Sequence, residues 1–221
     1  KKSKFYAGHS LGEYTALACA GALSFSDTLK ILKIRGKAMQ EAVPKGEGGM
    51  LAILGSDIDS IDKILKENEK NFECFIANDN SDHQLVVSGS SENVQKFSDF
   101  LNTKKIKNIK LQVSAPFHCK LMSSATRVME KEIKKLDFKN FENILISNVT
   151  AKEIKDKDVL KDLLVKQIES KVRWRESIKY MIDHGVDNFI EIGPGKVLSG
   201  LIKRINRDVK VSAINKEEDI S

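Results

Sequence analysis

Long apolar runs are absent from this sequence, and none approaches the roughly 18 consecutive residues that a membrane-spanning helix needs. Cysteine is also scarce. The three cysteines, Cys19, Cys74 and Cys119, are an odd number and show no CxxC spacing. We therefore expect no membrane association, no zinc or other metal site, and reduced thiols in a cytoplasmic compartment.

Clusters of basic residues interleaved with aromatic ones are absent too, although proteins that stack nucleobases have this pattern. The formal net charge of +6 comes from lysines that are spread along the whole chain. This distribution indicates a solvated lysine-rich surface and leaves open a landing surface for an acidic partner. We expect no nucleic-acid partner.

Helix and strand patterns alternate at both ends of the chain. Predicted helices cover residues 11–22, 24–43, 119–136, 159–168, 177–183 and 196–206, and predicted strands cover residues 5–7, 143–147 and 189–192. A Ser24–Asp27 capping box marks the start of the second helix. The alternation predicts an α/β fold with a parallel sheet and helices on both faces, as in the α/β-hydrolase-like core.

The middle of the chain, residues 46–114, has a different pattern. It begins within a Pro- and Gly-rich hinge over residues 44–49 and reads in the order βαββαβ, which is the order of a ferredoxin-like lobe. Its strands are predicted at 50–54, 72–77, 84–88 and 109–113, its helices at 58–68 and 91–102, and a turn at 78–82. We expect an α/β catalytic core, residues 1–45 and 115–221, with residues 46–114 inserted as a ferredoxin-like subdomain.

The segment Gly8-His9-Ser10-Leu11-Gly12 fits G-x-S-x-G, the strand-to-helix elbow that exposes a nucleophilic serine. We expect the turn to be too tight for a side chain at either glycine. The helix behind it offers N–H groups to a developing oxyanion. The sequence therefore predicts Ser10 as a nucleophile, with an ordinary glycine-rich turn as the alternative.

A serine nucleophile needs a base, and His118 is the candidate among four histidines. His9 adjoins Ser10 and should point away from it, His83 lies in a predicted turn, and His184 precedes Gly185 at a helix C-terminus. His118 lies in Ser114-Ala115-Pro116-Phe117-His118, where a returning strand meets a helix, and this position suits a general base. A structural role for His118 stays open.

Arg35 lies within the apolar stripe of its helix, between Ile31 and Met39. A guanidinium in that position is costly unless a group accepts its hydrogen bonds. One explanation is an internal ion pair, for instance with Glu13. The other is a fork that binds a substrate carboxylate through two hydrogen bonds.

Several segments resemble the malonyl-CoA:acyl-carrier-protein transacylase family, and are similar to acyltransferase domains of polyketide and fatty-acid synthases. They occur in family order along the chain: GHSLGEYTAL at 8–17, RGKAMQEA at 35–42, SAPFHCKLM at 114–122, ISNVTA at 146–151, Gln167 before VRW at 172–174, and EIGPGKVLSGLIKRI at 191–205. The chain is therefore identified as a member of that family. The elbow strand has few residues before it and the family's amino-terminal G-Q-G-S-Q segment is missing, so we expect a protein that begins upstream.

The resemblance implies transfer of a malonyl group from malonyl-CoA to the phosphopantetheine thiol of an acyl carrier protein, in fatty-acid biosynthesis. It implies a cytoplasmic monomer that needs no metal or redox cofactor. Six residues acquire implied roles: Ser10 carries the acyl group, His118 is the base, the Gln167 carbonyl orients it, the Leu11 N–H is an oxyanion donor, Arg35 binds the malonyl carboxylate, and Asn78 lines the acyl site.

Two departures and two rival functions remain. The family's Asn-Ser-Pro turn is Asn80-Ser81-Asp82 in this chain, which leaves the shape of that loop open. A serine esterase or thioesterase would share the elbow but would have no need of Arg35, and it usually has an acidic third triad member. A non-catalytic module that only docks a carrier protein is the second rival.

Overall fold

The computed structural model describes residues 3–113, 115–154 and 156–220; Ser114, the first residue of the predicted 114–122 segment, lies outside them. The strands are β1 Phe5–Tyr6, β2 Gly48–Leu54, β3 Cys74–Ser81, β4 Gln84–Ser90, β5 Lys107–Lys110, β6 Ile144–Ile146, β7 Glu153–Ile154, β8 Asn188–Ile192 and β9 Lys210–Ile214. The α-helices are α1 Leu11–Cys19, α2 Phe25–Glu41, α3 Ile58–Glu67, α4 Ser91–Thr103, α5 Ser123–Lys135, α6 Lys157–Gln167, α7 Trp174–Asp183 and α8 Val197–Ile205. None of these described helices combines the length and apolar character needed to cross a membrane.

The fold is mixed α/β, and its parallel pairings are short. β1 pairs with β6 and β8 pairs with β9, both in parallel, while β7 adds an antiparallel edge to β6. Outside residues 48–110, the described strands form two small sheets, so the parallel pairings that the sequence predicts are present but do not join into one continuous sheet among the described residues. β7 and β9 were not predicted because a two-residue strand and a lysine-flanked one give weak apolar signals.

Helices α1, α2, α5 and α6 enclose the main apolar core, which includes Tyr14, Leu17, Met129 and Leu164. α2 begins as the capping box predicts, because the Ser24 hydroxyl oxygen accepts the Asp27 N–H at 3.0 Å. Ser24 is therefore the N-cap residue of α2.

Residues 48–110 contain a four-stranded antiparallel sheet in the order β3-β4-β2-β5. One face of the sheet packs against apolar side chains of α3 and α4, including Ile61 and Phe97. The other face presents Met50, Ala77 and Val86 to Phe117 of the returning chain. The sheet therefore lies against the segment that carries His118.

The predicted turn over residues 78–82 is wrong for residues 78–81, because β3 continues to Ser81 and these four polar residues are buried. The turn that the structure shows lies at Asp82 and His83. The Asp79 N–H donates to the Val172 carbonyl at 2.9 Å. The Asp79 carboxylate, 0% exposed, accepts hydrogen bonds from Arg175 of α7 at 2.9–3.1 Å. Val172 and Arg175, both distant in sequence, thus satisfy the hydrogen bonds of Asp79, in a polar stretch that the sequence pattern predicted as a turn.

Candidate active site

Ser10 lies at the junction of β1 and α1 with φ 54° and ψ −105°, a backbone conformation that non-glycine residues rarely adopt. Gly8 is required there, since a Cβ atom would lie 1.9 Å from the Gly12 carbonyl oxygen. The same expectation for Gly12 is wrong: a Cβ on Gly12 would meet no atom within 4 Å among the described residues. The turn therefore has no room for a side chain at Gly8, whereas Gly12 has room for one.

The elbow is held by Asn148, which follows β6. Its side-chain oxygen accepts the Ser10 N–H at 2.7 Å, and its side-chain NH₂ donates to the Gly8 carbonyl at 2.7 Å. Because β1 and β6 are parallel neighbours, their carboxyl ends meet at the same edge. Sequence reasoning missed this residue, although a polar side chain directly after a buried strand was the available signal.

His118 is in contact with Ser10. The Ser10 Oγ and His118 Nε2 atoms are 2.7 Å apart, and His118 Nδ1 lies 2.9 Å from the Gln167 carbonyl oxygen. That carbonyl can only accept, so Nδ1 carries the proton and Nε2 is free to accept from the serine. Burial, reinforced by the Arg35 charge, lowers the pKa of His118 to about 3, so the imidazole is neutral at neutral pH.

The other histidines have different partners. His9 Nε2 lies 2.9 Å from Asn80 Oδ1, and the His9 ring contacts Trp174 with centroids 5.7 Å apart. His184 Nδ1 lies 2.7 Å from the Tyr180 carbonyl oxygen at the end of α7. Of His9, His118 and His184, only His118 is hydrogen-bonded to Ser10 among the described contacts.

Arg35 is 6% exposed and donates from Nη2 to Ser10 Oγ at 2.9 Å and to Gln167 Oε1 at 3.0 Å. Its buried Nε has no hydrogen-bond partner among the described residues. Burial lowers the pKa of Arg35 below its usual range. No ion pair joins it to Glu13 in the described parts of the chain, so the guanidinium keeps unused donors beside the serine hydroxyl.

The side chains of Glu13 and Gln167 join Ser10, Arg35 and Asn148 in one hydrogen-bond network. Sequence reasoning did not predict this network. Glu13 is 2% exposed; its Oε2 accepts from Gln167 Nε2 at 2.5 Å and its Oε1 from the Asn148 N–H at 3.3 Å. Gln167 Nε2 also donates to the Ser10 carbonyl at 3.0 Å. Burial raises the pKa of Glu13 to about 7. The signal was a lone carboxylate in an otherwise apolar helix.

Two further predicted residues have no contact that settles their roles. Leu11 is the first residue of α1, where N–H groups lack an intrahelical carbonyl partner. Asn78 is 7% exposed on β3, and the described contacts include no hydrogen bond from its side chain to Ser10, His118 or Arg35. Throughout the ranges that the structure describes, no three His, Cys, Asp or Glu side chains are grouped so as to hold a metal ion.

Fold and site together define a mixed α/β protein of the class that has a serine on a strand-to-helix elbow, hydrogen-bonded to a histidine. The model of the acyl transferase domain family matches residues 2–217. The chain belongs to this family, and within it to the malonyl-CoA:acyl-carrier-protein transacylases that the sequence resemblance indicated.

Two curated relatives share this description. The malonyl CoA-acyl carrier protein transacylase of Bacillus subtilis (strain 168) is 44% identical over 218 residues, which cover 98% of this chain and 69% of the relative. The protein of the same name from Staphylococcus aureus (strain MRSA252) is 43% identical over 220 residues, which cover 98% of this chain and 71% of that relative. The chain thus matches about seven-tenths of each relative.

Solved structures agree with this assignment. The malonyl CoA-acyl carrier protein transacylase from Clostridium perfringens superposes with a TM-score of 0.95 at 40% identity, covering 100% of this chain and 70% of that one. A malonyl-transacylase in complex with its holo type II PKS acyl-carrier protein also superposes with a TM-score of 0.95. It is 37% identical, and the match covers 99% of this chain and 71% of that one.

Proposed function

We propose that the protein transfers a malonyl group from malonyl-CoA to the phosphopantetheine thiol of an acyl carrier protein, in fatty-acid biosynthesis. The observation that carries the proposal is a buried Arg35 within 2.9 Å of the Ser10 hydroxyl, with its Nε unpaired among the described residues. In a malonyl ester of Ser10, the free carboxylate lies two carbon atoms beyond the ester carbonyl. Because Arg35 lies beside Ser10, its guanidinium is within reach of that carboxylate.

In the first half-reaction, His118 Nε2 takes the proton of Ser10 Oγ, and Oγ attacks the thioester carbonyl of malonyl-CoA. The Leu11 N–H donates to the oxyanion that develops on that carbonyl. The carbon–sulfur bond breaks, coenzyme A leaves as the thiol with the proton from His118, and malonyl remains on Ser10. The Gln167 carbonyl stabilises the imidazolium through Nδ1–H.

In the second half-reaction, the phosphopantetheine thiol of the carrier gives its proton to His118 and attacks the malonyl-serine ester. The ester bond breaks and Ser10 recovers its proton. Each step exchanges one acyl bond and one proton, so the scheme requires no metal or redox cofactor. The protein mainly holds the acyl group still and limits access of water.

The proposal extends to the architecture. The βαββαβ order of residues 48–110 and the sheet order β3-β4-β2-β5 support a ferredoxin-like lobe, spanning residues 46–114, inserted into an α/β-hydrolase-like core. Asn78, buried on the strand β3 of that lobe, would line the acyl site. We propose a monomer acting in the cytoplasm, where its three cysteines stay reduced.

The hydrolase rival is disfavoured by the group behind His118. Serine hydrolases commonly use a carboxylate at that position, whereas here Nδ1 faces the Gln167 carbonyl oxygen at 2.9 Å. A carbonyl stabilises the imidazolium less than a carboxylate does. This is adequate for exchange between acyl esters and thioesters, which have similar transfer potentials.

A labelling-and-chase experiment tests the function. Full-length protein is mixed with malonyl-CoA labelled in the malonyl group, passed through a desalting column, and then given holo acyl carrier protein. We expect label to stay on the protein for many turnover times and to move to the carrier on addition. Rapid release as free malonate would indicate a hydrolase, and absence of label would indicate a docking module; either result would overturn the proposal.

A further inference from the structure

Glu13 occupies a central position in the hydrogen-bond network around Ser10. Its two carboxylate oxygens accept from different elements, one from the Asn148 N–H after β6 and one from the Gln167 side-chain amide at the end of α6. The same Gln167 amide accepts from Arg35 and donates to the Ser10 carbonyl. Glu13, together with the Ser10 carbonyl, therefore fixes which way that amide points.

We infer that Glu13 is a positioning residue for acyl-group selectivity: by orienting the Gln167 amide, it keeps Arg35 at Ser10, where a substrate carboxylate would bind. The inference rests on the proposed function and adds a residue to it. Glu13 itself touches neither Ser10 Oγ nor His118 among the described contacts. Its effect reaches the substrate only through the orientation of Gln167 and the placement of the Arg35 guanidinium.

The hydrogen-bond donors and acceptors around Glu13 are matched only when it is a carboxylate. Glu13 faces two N–H donors, and a carboxylate can accept both. In Glu13→Gln the new amide has one acceptor and one NH₂, so if its oxygen faces Asn148 its NH₂ faces the NH₂ of Gln167. Gln167 can relieve this clash by turning over, although its oxygen then faces the Ser10 carbonyl oxygen; the turn presents NH₂ instead of oxygen to Arg35. Arg35 then loses its acceptor and moves away from Ser10.

Protonation of Glu13 should act in the same way as this substitution. A protonated carboxyl turns one acceptor into a donor, and burial raises the pKa of Glu13 to about 7. The charged and titratable groups near its carboxyl are Arg35 of α2 and the adjacent Tyr14, whose pKa burial raises well above its usual 10.0. Neither changes charge near neutrality, and Gln167 and Asn148 carry no charge.

The test measures kcat/KM for malonyl-CoA divided by kcat/KM for acetyl-CoA, with full-length protein. In wild type the ratio should rise with pH between about 6 and 8, as Glu13 loses its proton. Glu13→Gln should lower the ratio at pH 8 by roughly 10- to 100-fold, the usual value of one charge-assisted hydrogen bond. In this variant the ratio should no longer change with pH.

The double variant Glu13→Gln/Gln167→Glu supplies the rescue. A carboxylate at position 167 can accept from both Arg35 and the new amide at position 13, so part of the selectivity should return although kcat falls for both substrates. If Glu13 is only structural, Glu13→Gln lowers both kcat/KM values together and the ratio stays constant, which overturns the inference.

The measurements remain decisive if Glu13→Gln does not fold, because the wild-type pH dependence needs no variant. A wild-type ratio that stays flat from pH 6 to 8 contradicts the inference. The proposed function is tested separately, since it fails only if wild-type protein transfers no malonyl group to the carrier at any pH.

Discussion

Ser10 and His118 both have positive φ angles, 54° and 60°, which non-glycine residues rarely adopt. Such conformations cost on the order of 1–3 kcal/mol each and persist only where the surroundings hold them. Asn148 holds the elbow at Ser10, and the Gln167 carbonyl holds the ring of His118. Local strain thus accompanies the 2.7 Å contact between the two side chains.

At the residue scale, His118→Ala should reduce transfer by roughly 10²–10⁴-fold, the usual contribution of general-base catalysis. Burial lowers the pKa of His118 to about 3, so its basic form persists at acidic pH. The acid limb of kcat/KM for acetyl-CoA should therefore lie below pH 5 instead of near the usual histidine value of 6.5. His184→Ala is the control; an equal loss there, or an acid limb at that usual value, would assign the base elsewhere.

Arg35 gives the second prediction at this scale. Arg35→Ala should lower kcat/KM for malonyl-CoA by about 2–5 kcal/mol, roughly 30- to 5,000-fold, because a buried charge pair would lose one partner. Acetyl-CoA, which has no free carboxylate, should be affected much less. Arg35→Lys should restore the malonyl preference only in part, since an ammonium cannot form the planar fork. An unchanged malonyl-to-acetyl ratio would make Arg35 a structural residue.

At the scale of elements, the β1–α1 turn makes unequal demands on its two glycines. Gly8→Ala should lower the Tm and abolish activity, because its Cβ would overlap the Gly12 carbonyl. Gly12→Ala is the matched control: it lies in α1, where Ala is favoured over Gly by roughly 0.5–1 kcal/mol. Its Tm should stay equal or rise. Equal losses of Tm in both variants would show that the turn is tight on both sides.

The contact between β3 and α7 gives another prediction at this scale. Arg175→Ala leaves the Asp79 carboxylate buried and unpaired, so the free energy of unfolding should fall by about 3–5 kcal/mol. Lys179→Ala removes a partly exposed pair with Asp82 and should cost below about 1 kcal/mol.

Urea unfolding measures both of these changes. Adding Asp79→Asn to Arg175→Ala should recover part of the loss, because the buried group is then neutral. Equal effects of Arg175→Ala and Lys179→Ala would contradict this account of the contact.

At the scale of the whole molecule, local patterns predicted most elements but not their partners. The capping box at Ser24 and the apolar stripe around Arg35 depend on neighbours in sequence, so they were visible. The Asp79 contact with Arg175, the Asn148 contact with the elbow and the Glu13 contact with Gln167 join residues more than 90 positions apart. A single sequence carries little information about such pairings, which the folded chain creates.

Four residues from distant segments meet in one site: Ser10, Arg35, His118 and Gln167. Under the proposed function, Ser10 of this site takes the malonyl group. Peptide mass spectrometry of full-length protein after brief mixing with malonyl-CoA tests this most directly. We predict one malonyl group on the peptide that contains Ser10, and none on any peptide of Ser10→Ala. A malonyl group on a different residue, or one that persists in Ser10→Ala, would contradict the account.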